Sequence, residues 1–212
     1  VYCGEDEELR RLAPIFEAIT KNSLFKYADI SIDTFSPLVA KKALDSGCKI
    51  INDICGLESD ELAKILGDYR VKVVIMHKKG DPKTMQNSPS YNDIFTEVSE
   101  FFEDRINKAT RYGIKDIVLD VGIGFGKDLS HNTILIKHLS DFKKFGCELL
   151  VGASRKSMVG AITGRETADR LAGTLAVHQK AVEYGADIIR CHDVKEHVDM
   201  LKVWSAFNNV TI

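Results

Sequence analysis

The sequence predicts an α/β protein of the TIM-type (β/α)8 barrel class, with the first two βα strands absent from this chain. Three observations predict it. Apolar, β-rich runs alternate strictly with helical patterns, which implies parallel strands joined by right-handed crossovers. Most strand runs are continuously apolar rather than alternating, as expected when both sheet faces are covered. Every run ends in polar residues, and a parallel α/β protein gathers its site at that edge. An open doubly wound sheet would use only the strands at its switch point, so polar ends on all strands favour the barrel. Six strands do not close an eight-stranded barrel, hence the expectation that two strands and the helix between them precede this segment.

The elements follow in order. A helical pattern near 5–20 precedes the first strand run, Asp29–Asp33 (DISID). A helix near 36–46 leads to Lys49–Ile54 (KIINDI), and one near 60–69 leads to Val73–His77 (VVIMH). The polar stretch from Lys78 to Pro89 reads as a mobile lid or surface loop. A helix near 91–112 precedes Ile117–Val121 (IVLDV), and one near 130–144 precedes Leu149–Ser154 (LLVGAS). A helix near 167–184 leads to Asp187–Cys191 (DIIRC), and a last helix covers 194–207.

Length and composition suit one domain, residues 1–212, with a sizeable core. A net charge of -2 with dispersed basic residues argues against a nucleic-acid partner. No apolar run approaches the roughly 20 residues that span a bilayer. The five cysteines (Cys3, Cys48, Cys55, Cys147 and Cys191) are odd in number and form no Cys-x-x-Cys pair. That disfavours structural zinc and a disulfide framework, and a reducing cytoplasm is the expected compartment. No secretory signal is evident.

The polar strand ends are Asp33, Asn52 with Asp53, His77, Asp120, Ser154, and Arg190 with His192. Singly, each also reads as a helix cap or turn residue. For Asp33 and Asp120 the cap is the weaker reading, because a carboxylate closing a buried strand needs a partner. The run Leu149–Gly160 carries most information. A strand opens directly into Ser154-Arg155-Lys156-Ser157 and a new helical pattern, which brings cations, hydroxyls and helix N-terminal N–H groups to one point. Arg190 and His192 share a side by period-two alternation and suit a phosphate or pyrophosphate.

Asp120 to Lys127 (DVGIGFGK) is a glycine-rich loop carrying an aromatic, Phe125. It lacks the GxGxxG spacing, so the dinucleotide reading is rejected. A loop with Phe125 folded back onto the barrel is its plain structural alternative. Met76 reads as a pocket wall or core residue. Asp193 reads as the N-cap of the last helix. His131, His138, His178 and His197 read as surface or capping residues, and Glu97, Glu100, Glu103 and Asp104 as a solvated helix face.

Taken in order, SIDTFSPLVAKKAL, INDICGL, MHKKGDPKTMQ, LDVGIGFGK, His131-Asn132, VGASRKS and RCHDV resemble the dihydropteroate synthase family. The likeness runs from Glu5 to Phe207; SRKS and GIGFGK in register are its most specific parts. It implies a (β/α)8 barrel that condenses 6-hydroxymethyl-7,8-dihydropterin pyrophosphate with para-aminobenzoate. Catalytic roles would fall to Asp33, Asp120 and Lys156. Asn52 would join them around the pterin, with Met76 on the pterin face. Ser154, Arg190 and His192 would lie on the phosphate side, and Phe125 and Ser157 would border para-aminobenzoate.

The resemblance further implies Mg2+, whose protein ligand belongs to the family's first two strands, and a homodimer. Those strands also carry an Arg-Pro loop at the para-aminobenzoate site. Val121 replaces the family's usual Pro, and Lys78-Lys79 its usual Met-Arg. Three other readings compete: a corrinoid-type pterin-binding methyltransferase domain, a non-catalytic pterin-binding paralogue or fragment, and an unrelated phosphate-sugar barrel. Methyl transfer leaves SRKS and the Arg190/His192 pair without a pyrophosphate to hold.

Overall fold

The computed structural model describes residues 3–80 and 89–208. They gather into two compact units. One comprises residues up to Lys78 with Glu100–Leu119, the other Lys79–Ser99 with residues from Asp120 onward.

In the first unit, α1 (Glu5–Lys21) begins with four acidic residues, Glu5 to Glu8, the charge that a helix N-terminus favours. It buries Phe16 and Ile19 against Val39, Ala43 and Cys48. β1 (Ser31–Asp33) leads into α2 (Pro37–Asp45). Ser36 caps α2 by accepting from the Val39 N–H, and Pro37 fits where no donor is needed. β2 (Ile50–Asp53) pairs parallel with β1, so that Asp33 stands opposite Asn52. Ser59 caps α3 (Asp60–Tyr69), and β3 (Lys72–Met76) pairs parallel with β2.

The helix α4 (Ile94–Arg111) and strand β4 (Ile117–Asp120) each contribute residues to both units. In the second unit α5 (Leu129–Lys137) opens with a capping box between Asp128 and His131. β5 (Glu148–Val151), the short α6 (Ser157–Thr163), α7 (Leu171–Glu183), β6 (Ile188–Ile189) and α8 (Val194–Asn208) complete it. β5 and β6 run parallel, pairing Leu150 with Ile188. The strand order is β1-β2-β3-β4-β5-β6, chain order throughout.

Several expectations need correction. The helical pattern near 130–144 is α5 followed by a 3-10 segment, Leu139–Phe145. Leu139 and Phe142, three apart, are both buried there, which suits a helix of three residues per turn. The pattern near 167–184 likewise divides into a 3-10 turn, Thr167–Asp169, and α7, because Arg170 (φ -88, ψ 6) leaves helical geometry. β1 is exposed at Ser31 and Asp33, so continuous burial does not extend to the first strand. His178 and His197 are buried rather than superficial. Glu97 is half-buried and accepts from Lys79 Nζ and the Asn92 N–H. Residues 81–88 of the expected lid lie outside the described residues. Among the described residues no helix is long and apolar enough to cross a membrane, and all five cysteines are free thiols.

Candidate functional site

Each unit presents its own set of polar strand ends. In the first, Asn52 is 6% exposed and its Nδ2 donates to Asp33 Oδ1 at 2.8 Å. Asn52 Oδ1 is buried with no hydrogen-bond partner among the described residues. A buried amide oxygen without a donor costs about 1–3 kcal/mol, and that cost marks a place where a ligand donor is expected. Asp53, one residue on, is a turn residue: its carboxylate accepts from the Cys55 and Leu57 N–H groups. Burial pushes its pKa up, and those two hydrogen bonds oppose the rise. Met76 is buried, and His77 stacks edge-on against Phe101.

In the second unit, β4 ends at Asp120, a buried carboxylate that accepts from the Gly122 N–H at 2.8 Å. Burial raises its pKa, while the charges of Lys156, Lys127 and Arg190 act to lower it. Lys156 stands at the N-terminus of α6, its ammonium donating to the Ile123 carbonyl and lying 4.5 Å from the Phe125 ring centroid. Burial brings Lys156 down to about 8, against the pull of Asp120.

The loop 121–127 owes its path to glycine. Gly124 (φ 81) sits against the Lys156 stem, where a Cβ would lie 3.2 Å from Cδ. At Gly126 (φ 67) a Cβ would overlap the Lys79 carbonyl. Asn132, from α5, accepts from the Gly124 N–H, and the Tyr91 hydroxyl donates to the Gly126 carbonyl. Lys127 is 2% exposed and donates to the carbonyls of Gly122 and Phe125, at 3.1 and 3.0 Å. Desolvation lowers it to about 7.

Beside these groups lies a cleft of about 180 Å3, lined by Gly152, Ser154, Lys156, Arg190, Cys191 and His192. Ser154 Oγ and His192 Nδ1 are 2.8 Å apart. A hydroxyl, an imidazole and two cations around a small cleft make an anion site. The turn supporting it is strained, since Arg155 has φ 58. Four bonds hold that turn. The Arg155 N–H donates to Thr174 Oγ1, and its carbonyl accepts from Arg170. Its guanidinium forks onto Asp193 through Nη2 at 2.5 Å and Nε at 3.2 Å. The Asp193 carboxylate thus serves Arg155, a role the N-cap reading did not include.

Of the expected residues, Asp33 and Asn52 meet in the first unit. In the second, Phe125 and Lys156 meet, Ser154, Arg190 and His192 share the cleft with Lys156, and Asp120 lies within their electrostatic reach. Ser157 is the exposed first residue of α6. Sequence reasoning missed Lys127, Asn132 and the Arg155–Asp193 fork. Lys127 stood in the glycine motif, where nothing in the residue pattern set it apart from a solvated loop lysine.

A family model described as "Pterin binding enzyme" matches residues 2–192. The bifunctional dihydropteroate synthase/dihydropteroate reductase of Helicobacter pylori is 43% identical over 199 residues, 94% of this chain and 52% of that protein. The chain therefore spans about half of that relative. The dihydropteroate synthase of Escherichia coli is 42% identical over 203 residues, 95% of this chain and 71% of its own length. The crystal structure of dihydropteroate synthase from Stenotrophomonas maltophilia, with imidazole in its active site, matches with TM-score 0.93 and 38% identity, covering 99% of this chain and 79% of that one. With a family model over most of the chain, and both sequence and fold in agreement, the chain belongs to the pterin-binding enzyme family, among its dihydropteroate synthases.

Proposed function

We propose that the protein joins 6-hydroxymethyl-7,8-dihydropterin pyrophosphate to para-aminobenzoate, forming 7,8-dihydropteroate and pyrophosphate. The observation that carries this reading is the buried Asp120 carboxylate, under the charges of Lys156, Lys127 and Arg190, in the unit that also holds the Ser154/Arg190/His192 cleft. The pterin edge offers adjacent N–H donors, which a carboxylate takes as a pair. Asp120 is assigned that edge. The unpartnered Oδ1 of Asn52 is assigned a further pterin donor, with Asp33 orienting the amide. Met76 is assigned to the pterin face, Phe125 and Ser157 to para-aminobenzoate.

The chemistry follows the charge. The bond from the exocyclic methylene to the pyrophosphate oxygen breaks, and the electron pair leaves with pyrophosphate. The cation that remains delocalises into the pterin, where Asp33 and Asp120 stabilise it. Ser154, Arg190 and His192 hold the departing anion. The aniline nitrogen is neutral at pH 7; its lone pair forms the new C–N bond, and it then gives up a proton. Mg2+ is proposed as the cofactor. The cleft side chains are two cations, an imidazole, a thiol and one hydroxyl, a poor donor set for a hard divalent ion, so no step here runs through the metal.

A homodimer in the cytoplasm completes the proposal. It rests on the family resemblance, on the thiol pattern, and on the apolar residues Val194, Val198, Val203 and Phe207 that α8 leaves exposed. Light scattering on the purified protein tests the assembly. The decisive experiment is pyrophosphate release from the pterin substrate with Mg2+, with and without para-aminobenzoate, on protein of verified N-terminus. Dihydropteroate formed only with para-aminobenzoate present supports the synthase. Pterin binding without turnover identifies a non-catalytic binder instead.

A further inference from the structure

Behind the anion cleft, α7 and α8 bring two buried histidines together. His178 is 0% and His197 3% exposed, and His178 Nδ1 lies 2.7 Å from His197 Nε2. The outer nitrogens face backbone. The Ala153 N–H donates to His178 Nε2 at 2.9 Å, and His197 Nδ1 lies 2.7 Å from the Asp193 carbonyl. The two ends fix the polarity of the chain, because an amide N–H can only donate and a carbonyl can only accept. His178 Nε2 must carry a lone pair, so its Nδ1 bears the proton and donates to His197 Nε2. His197 Nδ1 in turn bears a proton for Asp193. One arrangement of protons satisfies all four groups, with both rings neutral.

The ends of this chain matter. Ala153 precedes Ser154, and Asp193 follows His192, the two residues that face each other in the cleft. We propose that His178 and His197 are positioning residues: a directed hydrogen-bond relay that locks the β5–α6 turn to the β6–α8 turn, and so holds Ser154 and His192 in register for the pyrophosphate group. The proposal rests on the functional reading above. The other charged groups near the relay are Lys156, Arg155 and Asp193; desolvation, helped by His197 and Lys156, brings His178 down to about 4, in keeping with the lone pair its Nε2 presents to the Ala153 N–H.

Two measurements test it. Imidazole 15N–1H correlation spectra of the wild-type protein at pH 7 should show both histidines as Nδ1–H tautomers. An Nε2–H tautomer at either residue overturns the relay. Separately, calorimetry with inorganic pyrophosphate compares wild type, His178→Leu and His178→Gln. Leucine fills space and leaves the Ala153 N–H without an acceptor; glutamine returns an acceptor. His178→Leu should weaken pyrophosphate binding about tenfold and raise KM for the pterin pyrophosphate alike, with KM for para-aminobenzoate unchanged. His178→Gln should recover most of the loss. Equal pyrophosphate affinity in folded His178→Leu and wild type, or no difference between Leu and Gln, overturns the positioning role. Should His178→Leu not fold, His178→Gln against His197→Leu makes the same comparison. Wild-type protein that binds no pyrophosphate overturns the functional reading and the positioning role with it, while the tautomers still decide whether the relay exists.

Discussion

Lys156 holds its ammonium 4.5 Å from the centroid of the Phe125 ring while donating to the carbonyl of Ile123, so one cation ties the α6 N-terminus to the glycine loop. A partly desolvated cation on an aromatic face is worth about 1–2 kcal/mol. The larger consequence is positional. The Lys156 stem runs along Gly124, where an added Cβ would lie 3.2 Å from its Cδ and press the stem aside by a few tenths of an ångström.

Lys156→Ala should therefore cost about 10²- to 10³-fold in kcat/KM, the effect of losing one preorganised electrostatic group. Its stability should change much less. Lys156→Arg should not restore the rate, because a planar, delocalised guanidinium does not reproduce the compact point charge of an ammonium. Steady-state kinetics with circular dichroism of each variant checks both statements. Unchanged turnover in Lys156→Ala removes Lys156 from the site.

The pH dependence has a defined sign. Burial lowers Lys156 to about 8, so its charged form is lost as pH rises through that value, and activity should fall on the alkaline side. Asp120 is the group that holds Lys156 up. Asp120→Asn keeps an acceptor for the Gly122 N–H but removes the charge. It should cut kcat/KM about 10²-fold or more and move the alkaline limb to lower pH. A pH–rate profile of both proteins reads the shift. An alkaline limb at the same pH in both assigns that limb to another group.

Much of this site was legible in the sequence. Asn52, Asp120 and Ser154 could be picked out because apolar strands ended on them, and a buried strand end needs a reason to be polar; Asp33 was picked out on the same ground although its strand is exposed there. The Arg190/His192 alternation carried through to the cleft for the same geometric reason. Lys127 was illegible because a lysine after a glycine run resembles any solvated loop cation; only the backbone path shows its two carbonyl partners. His178 and His197 were illegible because the two residues lie 19 apart in sequence, on different helices, and meet only in the fold. Arg155 was read as one more cation, and its fork to Asp193 depends on a left-handed backbone that no residue pattern announced.

Lys127 bears on stability. Its folded pKa, about 7, lies below the ordinary 10.5, so between those values the unfolded chain binds more protons than the folded one. This group's contribution to stability therefore rises with pH across that window, and the full penalty of burying the charge is felt below pH 7. Lys127→Met removes the titration and the ammonium's bonds to the Gly122 and Phe125 carbonyls, of which Gly122 keeps the Phe125 N–H as a donor. The stability of wild type relative to Lys127→Met should rise by a few kcal/mol, to order of magnitude, from pH 7 to pH 10. Denaturant melts at several pH values measure it. A pH-independent difference places the ammonium in solvent.

Asn52 supplies the last prediction, because its two ends pull in opposite directions. Its Nδ2 bond goes to an exposed carboxylate, Asp33, and such a bond to a partly hydrated partner contributes about 1 kcal/mol. Its Oδ1 is buried without a donor, which costs a comparable amount. Asn52→Leu, close in size, loses both terms and gains apolar burial. Its stability should lie within about 1 kcal/mol of wild type, in either direction. Pterin affinity should nevertheless fall about 10-fold to 100-fold, since the unpaired oxygen is what a ligand N–H would meet. A thermal melt and a pterin titration on the same preparation separate the two effects. A large loss of stability with affinity intact would make Asn52 a structural residue; stability intact with affinity lost makes its unpaired oxygen part of the pterin site, where tolerating an unsatisfied group in the free protein is the condition for binding the ligand.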